Sequence, residues 1–568
     1  MLKIPIGSPS FVCLGLSVSA LCLSVIQPPC PGYGLAWIAW VPFVVACVTA
    51  RSLKVLLPTS FVISSAYWLI NMHWIGPITP PGWIALCLYL ALGWPVTAFI
   101  LRFCFLRKVP LLLACPIILV GAEVLQGVPI SPFHWRFLAH SQFQQLPLIQ
   151  IADIFGAGGV SFLIAMVNGL IVHAILTLGL KIRSAKGLIL GCLVTALALL
   201  STVMYGFQQI QQYEETAITG PMVASVQSNV PQSAKDSLME SNVIMTELLT
   251  MSKKAALHNP VLIAWPETMV QAIINQDVIP YLSNQENSKV FDKAIRAFSK
   301  ETKSHLLVGA YAGSLSRSKK GELALNTHNS AMLYYNDGSQ ALNRYDKIRL
   351  ILFGEYMPFK YACPWLHDLL MKCTPYEYDY SMTRGKDHTI FSINDASNTY
   401  RFATLICYED TVPNLVRQFV LSPKHQKQVE WLVNISNDGW FAQIKDNQVQ
   451  SSSELIQHVT AGTFRAIENR ISILRSVNTG ISCLIDPCGK LQQGYAHASE
   501  DFPTQVKDRQ GMAGWFADKM PIYEKVSLFS RYGPWLDHVC AWIYGLTGLI
   551  ALFEMVKTRY AYHKTTKT

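Results

Sequence analysis

Charge is scarce in this chain. Asp, Glu, Lys and Arg make up 14% of its 568 residues, where an average globular chain carries about 25%. With 51% of the residues hydrophobic, the shortfall excludes a wholly water-exposed protein of ordinary composition. Metal-binding spacing is missing too. The fourteen cysteines include no CxxC pair and no Cys/His cluster, so neither a zinc site nor a dithiol redox motif is expected. No long basic run accompanies the net charge of +10, which argues against a nucleic-acid partner. The first apolar stretch lacks a small-residue cleavage site. It reads as a retained span, not a signal peptide.

What is present is a succession of apolar stretches near the roughly 20 residues that cross hydrocarbon. They fall at 11–27, 35–50, 55–70, 83–105, 111–126, 160–180 and 188–207, with one more at 536–556. Residues 220–510 between them have ordinary soluble-domain composition. Lys and Arg mark alternate loops: Lys3, then Arg51 and Lys54, Arg107 and Lys108, Lys181 to Lys186, and finally Lys557 to Lys567. Loops 28–34 and 72–81 carry none, and 128–159 carries only Arg136. The bias predicts eight spans, both termini in the cytoplasm and residues 220–510 on the opposite side. Eight cysteines lie at or before position 192, as small apolar packing residues. Cys363 and Cys373 stand outside the spans, where an exported compartment permits a disulfide.

Three short segments in the soluble part carry chemistry. Arg401 to Ile406 is a β-rich run ending on Cys407, with Tyr408, Glu409 and Asp410 next and a helix-like stretch after them. A cysteine at a helix mouth is expected to have a lowered pKa and some thiolate near neutral pH; alone, it reads more readily as a core cysteine. Trp265-Pro266-Glu267-Thr268 closes another apolar strand, where a solvated carboxylate is the plain alternative. Arg344-Tyr345-Asp346-Lys347 leads to Phe353-Gly354-Glu355-Tyr356-Met357-Pro358, and Lys347 taken alone is a surface lysine. Together they form a chemical set. Glu267 can take the thiol proton, Cys407 can attack a carbonyl, and Lys347 with the Tyr408 N–H can face the oxyanion.

These segments resemble the Glu-Lys-Cys sites of the nitrilase, or carbon-nitrogen hydrolase, superfamily, and nearly the whole chain is similar to its membrane-embedded apolipoprotein N-acyltransferase branch. Further matches are Gln150 to Asp153 with Gly156, Gly159, Ser161, Phe162 and Asn168, then Val226 to Gln232, and Asn434 to Phe441. Arg465, Glu468, Arg470, Arg475 and Asn478 to Gly480 match as well. Arg349, Ala442 and Asp236 depart from the pattern, standing where histidine, glycine and tryptophan are usual. The resemblance implies a multi-span α-helical membrane domain plus an α/β nitrilase-like αββα sandwich. It places a seven-span region at 1–219, a periplasmic catalytic domain at 220–510, and a return segment, eighth span and tail at 511–568, in the bacterial inner membrane. It also implies a phospholipid acyl donor, a diacylglyceryl apolipoprotein acceptor, a thioester on Cys407, and no metal or organic cofactor.

Strands are expected at 222–227, 261–265, 305–310, 330–335, 400–406, 431–435 and 481–485, and helices at 237–257, 290–300 and 454–470, an α/β pattern. Glu355 is expected to position Lys347 or the substrate amine, with a plain salt bridge as the alternative. Tyr408 and Glu409 are expected to align the nucleophile, and Trp440 to support the substrate. The apolar excursion containing Met357, Phe359, Trp365 and Leu366 suits a lid facing acyl chains, or else local packing. Two other readings use the same sequence. A membrane-anchored amidase would share the triad and transfer the acyl group to water. A transporter would need ionisable residues along a route, and only Glu123, His173 and Arg102 qualify.

Overall fold

The computed structural model describes residues 5–128, 130, 132–181, 185–230, 238–317, 323–360, 362–372, 374, 379–395, 398–445, 448–450 and 452–565. Asp236 and Cys373 lie outside the described residues. Two compact units emerge, one of Met1–Gln211 with Tyr532–Thr568 and one of Gln212–Arg531.

The first unit is helical. Five of its helical segments are long and apolar enough to cross a membrane: Leu53–Asn71, Pro80–Leu106, Ala157–Gly179, Ala185–Thr216 and Trp535–Arg559. The other three stretches read as spans fall on shorter apolar helices, Pro9–Val25, Tyr33–Thr49 and Leu111–Val124. Leu193, Leu197, Leu200, Met204 and Phe207 are exposed along one of the long helices, an outward apolar face that suits lipid and not water. Polar residues turn inward. Asn168 accepts from Trp40 N at 2.9 Å and donates to the Ala36 carbonyl at 3.0 Å. Ser161 Oγ accepts from Ala139 N at 3.0 Å. In a medium that offers no water, such pairing is what a polar side chain requires.

The second unit is built on two sheets. The larger runs His497–Ala498, Gly514–Ile522, Ile218–Gln227, Leu262–Ala264, His305–Arg317, Leu323–Tyr334, Tyr345–Asp346, with Val270–Ile273 also paired to His305–Arg317. The smaller runs Cys483–Ile485, Ser472–Asn478, Trp431–Asn437, Thr399–Ile406, Ile390–Asn394. Strand alternation sorts the side chains. Val223, Leu262, Ala264 and Leu307 pack with Phe402, Ile406, Val433 and Leu474 between the sheets. Their neighbours Ala224, Ile263, Leu306 and Val308 face outward onto Ile244, Leu248, Phe291 and Ile295 of the helices Leu238–Ala256 and Glu286–Thr302. Each fully buried large side chain contributes about 1.5–3 kcal/mol. The result is an α/β sandwich with helices outside paired sheets. Gly514–Ile522 lies in the stretch read as a return segment, yet it pairs antiparallel with Ile218–Gln227.

The strands at the centre of each sheet are parallel: Ile218–Gln227, Leu262–Ala264 and His305–Arg317 in one, Thr399–Ile406, Trp431–Asn437 and Ser472–Asn478 in the other. Ser476 Oγ reaches across, 3.0 Å from Val226 O and 2.9 Å from Ala264 O. Their carboxyl ends therefore stay in a fixed relation, and ligand sites of open α/β sheets lie at such ends.

Candidate active site

Glu267, Lys347 and Cys407 each sit just past a strand. After Leu262–Ala264 the chain reaches Glu267 and turns at Thr268, whose φ is 49°. Glycine at 309 lets this turn lie against the next strand, since a Cβ there would fall 2.2 Å from the Pro266 carbonyl oxygen and 2.7 Å from Glu267 Cα. Lys347 follows Tyr345–Asp346, and its N–H donates to the Asn329 carbonyl at 2.8 Å. Cys407 follows Thr399–Ile406 with φ 54°. That left-handed conformation costs a non-glycine residue about 1–3 kcal/mol and is typical of functional turns. Cys407 opens a single 3-10 turn, Cys407–Thr411, before the helix Pro413–Val420.

The polar groups converge. Lys347 Nζ donates to Glu267 Oε1 at 3.0 Å and to Glu355 Oε1 at 2.9 Å. Asn329 Nδ2 donates to the same two oxygens, at 2.7 and 2.9 Å. Backbone N–H groups complete both carboxylates: Asn437 donates to Glu267 Oε2 at 2.9 Å, and Ile351 to Glu355 Oε2 at 2.8 Å. Lys347 is 1% exposed. Burial alone would lower its pKa, but Glu267, Glu355 and Cys407 outweigh that and hold it well above the ordinary lysine value. The ammonium is therefore permanent. Asn329 was not anticipated from the sequence, and neither was the shared seat it makes for the two carboxylates.

The expectation of a lowered Cys407 pKa is corrected. Burial pushes the thiol well above its ordinary value, the Glu267 carboxylate pushes it further, and Lys347 and Ser436 only partly offset them. One 3-10 turn offers too small a dipole to compete with desolvation. The resting sulfur is a thiol. Passing its proton to Glu267 leaves the net charge of the pocket unchanged, whereas losing it to solvent would add a buried negative charge.

Glu409 ties the lysine loop to the nucleophile turn. Its carboxylate accepts from Ile406 N at 2.9 Å, Ile348 N at 2.8 Å, Arg349 N at 2.9 Å and Tyr345 Oη at 2.7 Å. Burial raises its pKa to about 7 against the pull of those donors. Arg349 itself is exposed and contributes its backbone. Tyr408 is half-buried, and Trp440 is 41% exposed on the turn Asp438–Phe441. In the apolar excursion Met357 is buried and its N–H donates to Ser381 Oγ at 3.0 Å. Phe359 is 46% and Trp365 68% exposed, the latter on the helix Pro364–Met371 with Leu366 half-buried beside it.

A second buried cluster lies beside the first and was also missed. His458 Nε2 meets Asp410 Oδ1 at 3.0 Å and Nδ1 meets Asp438 Oδ1 at 3.2 Å, while Arg475 Nη1 donates to Asp410 Oδ2 at 2.6 Å. Glu454 Oε1 stands 3.5 Å from His458 Nδ1. Asp438, Glu454 and His458 offer atoms within 4.8 Å of one another, the spacing a metal ion would need. The cationic role there is already filled by His458 and by Arg475, 3.8 Å from Asp438 Oδ2.

Residues 222–510 match the family model described as carbon-nitrogen hydrolase, and residues 19–170 match the one described as apolipoprotein N-acyltransferase N-terminal domain. The α/β unit is thus of the carbon-nitrogen hydrolase class. The apolipoprotein N-acyltransferase of Geobacter metallireducens is 32% identical, covering 83% of this chain and 84% of the relative. That of Chlorobaculum tepidum is 25% identical, covering 95% and 96%. The solved carbon-nitrogen hydrolase from Helicobacter pylori G27 aligns at 14% identity and a TM-score of 0.33, covering 52% of this chain and 88% of that one. The chain belongs to the apolipoprotein N-acyltransferase family.

Proposed function

We propose that this chain transfers an acyl chain from a phospholipid, through a thioester on Cys407, to the α-amino group of the N-terminal S-diacylglyceryl cysteine of lipoproteins. The observation that carries the reading is the buried Lys347 shared by Glu267 and Glu355 beside a protonated Cys407. Glu267 takes the thiol proton as the sulfur attacks the ester carbonyl. Lys347, with the Tyr408 N–H, faces the oxygen that becomes negative. The C–O bond breaks, and the lysophospholipid alcohol leaves with the proton from Glu267. The lipoprotein amine then attacks the thioester, gives its proton to Glu267 and displaces Cys407, which recovers that proton. One base serves both halves, and two bulky lipids use one site in turn.

The domain reading goes with this: spans in 1–219 and 511–568, both termini cytoplasmic, and a periplasmic catalytic domain at 220–510. The charge asymmetry of the loops supports it. Phe359, Trp365 and Leu366 serve as a lid against acyl chains, Met357 anchors its base, and Trp440 lines the substrate. The test is transfer from a defined phospholipid to a diacylglyceryl lipopeptide by wild type and Cys407→Ala. Transfer by wild type alone is expected. Release of free fatty acid without lipopeptide acylation would point instead to a hydrolase.

A further inference from the structure

The strand register carries one residue more to the nucleophile. Thr399–Ile406 and Trp431–Asn437 pair in parallel, with Ile406 beside Ile435. The next residues are Cys407, which leaves the ladder with φ 54°, and Ser436, which is among the groups that pull the Cys407 pKa down. Asn434 Nδ2 donates to the Cys407 carbonyl at 3.1 Å and holds the turn against this strand. Ser436 Oγ meets Asp438 Oδ1 at 2.6 Å. A hydroxyl has a single proton, so Ser436 can donate to Asp438 or to the sulfur, but not to both.

Asp438 can release that proton only if it stays satisfied. Its Oδ1 also faces His458 Nδ1 at 3.2 Å, and His458 Nε2 faces Asp410 Oδ1 at 3.0 Å. Both ring nitrogens point at carboxylate oxygens. A neutral imidazole would bring a lone pair against one of them, so the geometry calls for protons on both. All the groups facing this imidazolium are buried: Asp410, Asp438, Glu454 and Arg475. Burial alone would raise the Asp438 pKa, yet His458 and Arg475 hold it below the ordinary value. Burial and the Asp438 charge hold Glu454 well above its own. Asp410 and Asp438 thus face two cations, His458 and Arg475.

We propose that Ser436 is a further catalytic residue, turning its hydroxyl from Asp438 to the Cys407 sulfur when the thiolate forms, and that His458 is the positioning residue that leaves Asp438 satisfied as it turns. No proton is transferred in the turn; the thiol proton goes to Glu267. This rests on Cys407 being the nucleophile, and it deepens that site.

The test is the pH profile of Cys407 alkylation by iodoacetamide in the full-length protein, which needs no acyl transfer. Ser436→Ala removes one oxygen. It is expected to displace the profile upward by about one unit, roughly tenfold slower alkylation near neutral pH, while Ser436→Thr restores the wild-type profile. An unchanged profile in folded Ser436→Ala overturns the proposal. If the variants do not fold, nitrogen-15 histidine spectra of wild type decide: a doubly protonated His458 at pH 8 supports the arrangement, and a neutral ring overturns it. Wild type that alkylates as expected but forms no acyl adduct would defeat the acyltransfer reading alone.

Discussion

Two charge clusters are buried side by side in the α/β unit, and they are balanced differently. Around Lys347 one ammonium serves two carboxylates, Glu267 and Glu355, next to a thiol that can ionise. Around His458 two cations, His458 and Arg475, are set between Asp410 and Asp438, while burial and the Asp438 charge push the Glu454 pKa well above its ordinary value. The first cluster has somewhere to put a proton. Moving one from Cys407 to Glu267 changes no net charge. The second has every ionised charge matched, so titrating any member leaves a bare charge in a dry interior. The comparison teaches that burial by itself does not fit a group for proton transfer; the asymmetry of the charges around it does.

The largest expected effect breaks the first cluster chemically. Glu267→Gln removes the base, and transfer to a lipopeptide should fall by about 10²–10⁴-fold, with a lowered melting temperature because its amide N–H₂ must face either the Asn437 N–H or the Lys347 and Asn329 donors. Normal single-turnover acylation of this variant would take Glu267 out of its role. Lys347→Met should break chemistry and fold together. Losing the oxyanion donor should cost about 10²–10³ in rate, and stranding two carboxylates about 3–5 kcal/mol of stability. Adding Glu355→Gln should recover part of the stability and none of the rate, as read by melting curves and single-turnover assays.

The second cluster should answer mainly in stability. Arg475→Met leaves Asp410 facing His458 alone, and unfolding should be easier by about 3–5 kcal/mol. A variant that melts like wild type would mean the cluster is not the fixed block described here. The pH response of the nucleophile sharpens the contrast. Burial first, and Glu267 second, raise the Cys407 thiol, so its thiolate fraction at pH 7 lies below that of an ordinary cysteine. Alkylation should be slow there and keep rising as pH passes 9. A plateau below pH 8 would contradict the assigned protonation. The smallest effect belongs to the lid. Trp365→Ser with Leu366→Ser should weaken phospholipid use by several-fold while sparing a short soluble acyl donor, and equal loss of both activities would point to damaged folding.

Glu267 and Cys407 stood out as candidates because each follows an apolar strand, a place where sequence period and residue chemistry change together, whereas Lys347 follows only the two-residue strand Tyr345–Asp346. Asn329 did not stand out, since it sits within the strand Leu323–Tyr334 with neither a turn nor a charge to mark it. The helix Ser453–Asn469 hid its surroundings in another way. Glu454, Gln457, His458, Arg465 and Glu468 give it a polar side, yet Glu454 to Asn469 are all buried, because that side meets Asp410, Asp438 and Arg475 instead of water. Pairing between distant elements decides such burial, and no window of sequence contains both partners. Likewise Gly514–Ile522 found its place only through Ile218–Gln227, about 290 residues away in the chain. The Cys407 pKa was misread for a related reason: the strand-to-helix pattern was visible, but the depth of the pocket was not.

The central claim is that Cys407 carries the acyl chain between two substrates. Intact-protein mass spectrometry after incubation with a single defined phospholipid, without acceptor, tests it directly. A mass increase of one acyl chain is expected. It should map to Cys407, be removed by hydroxylamine, and be discharged when a diacylglyceryl lipopeptide is added. A protein that acylates the lipopeptide while never bearing an acyl group on Cys407 would contradict the account.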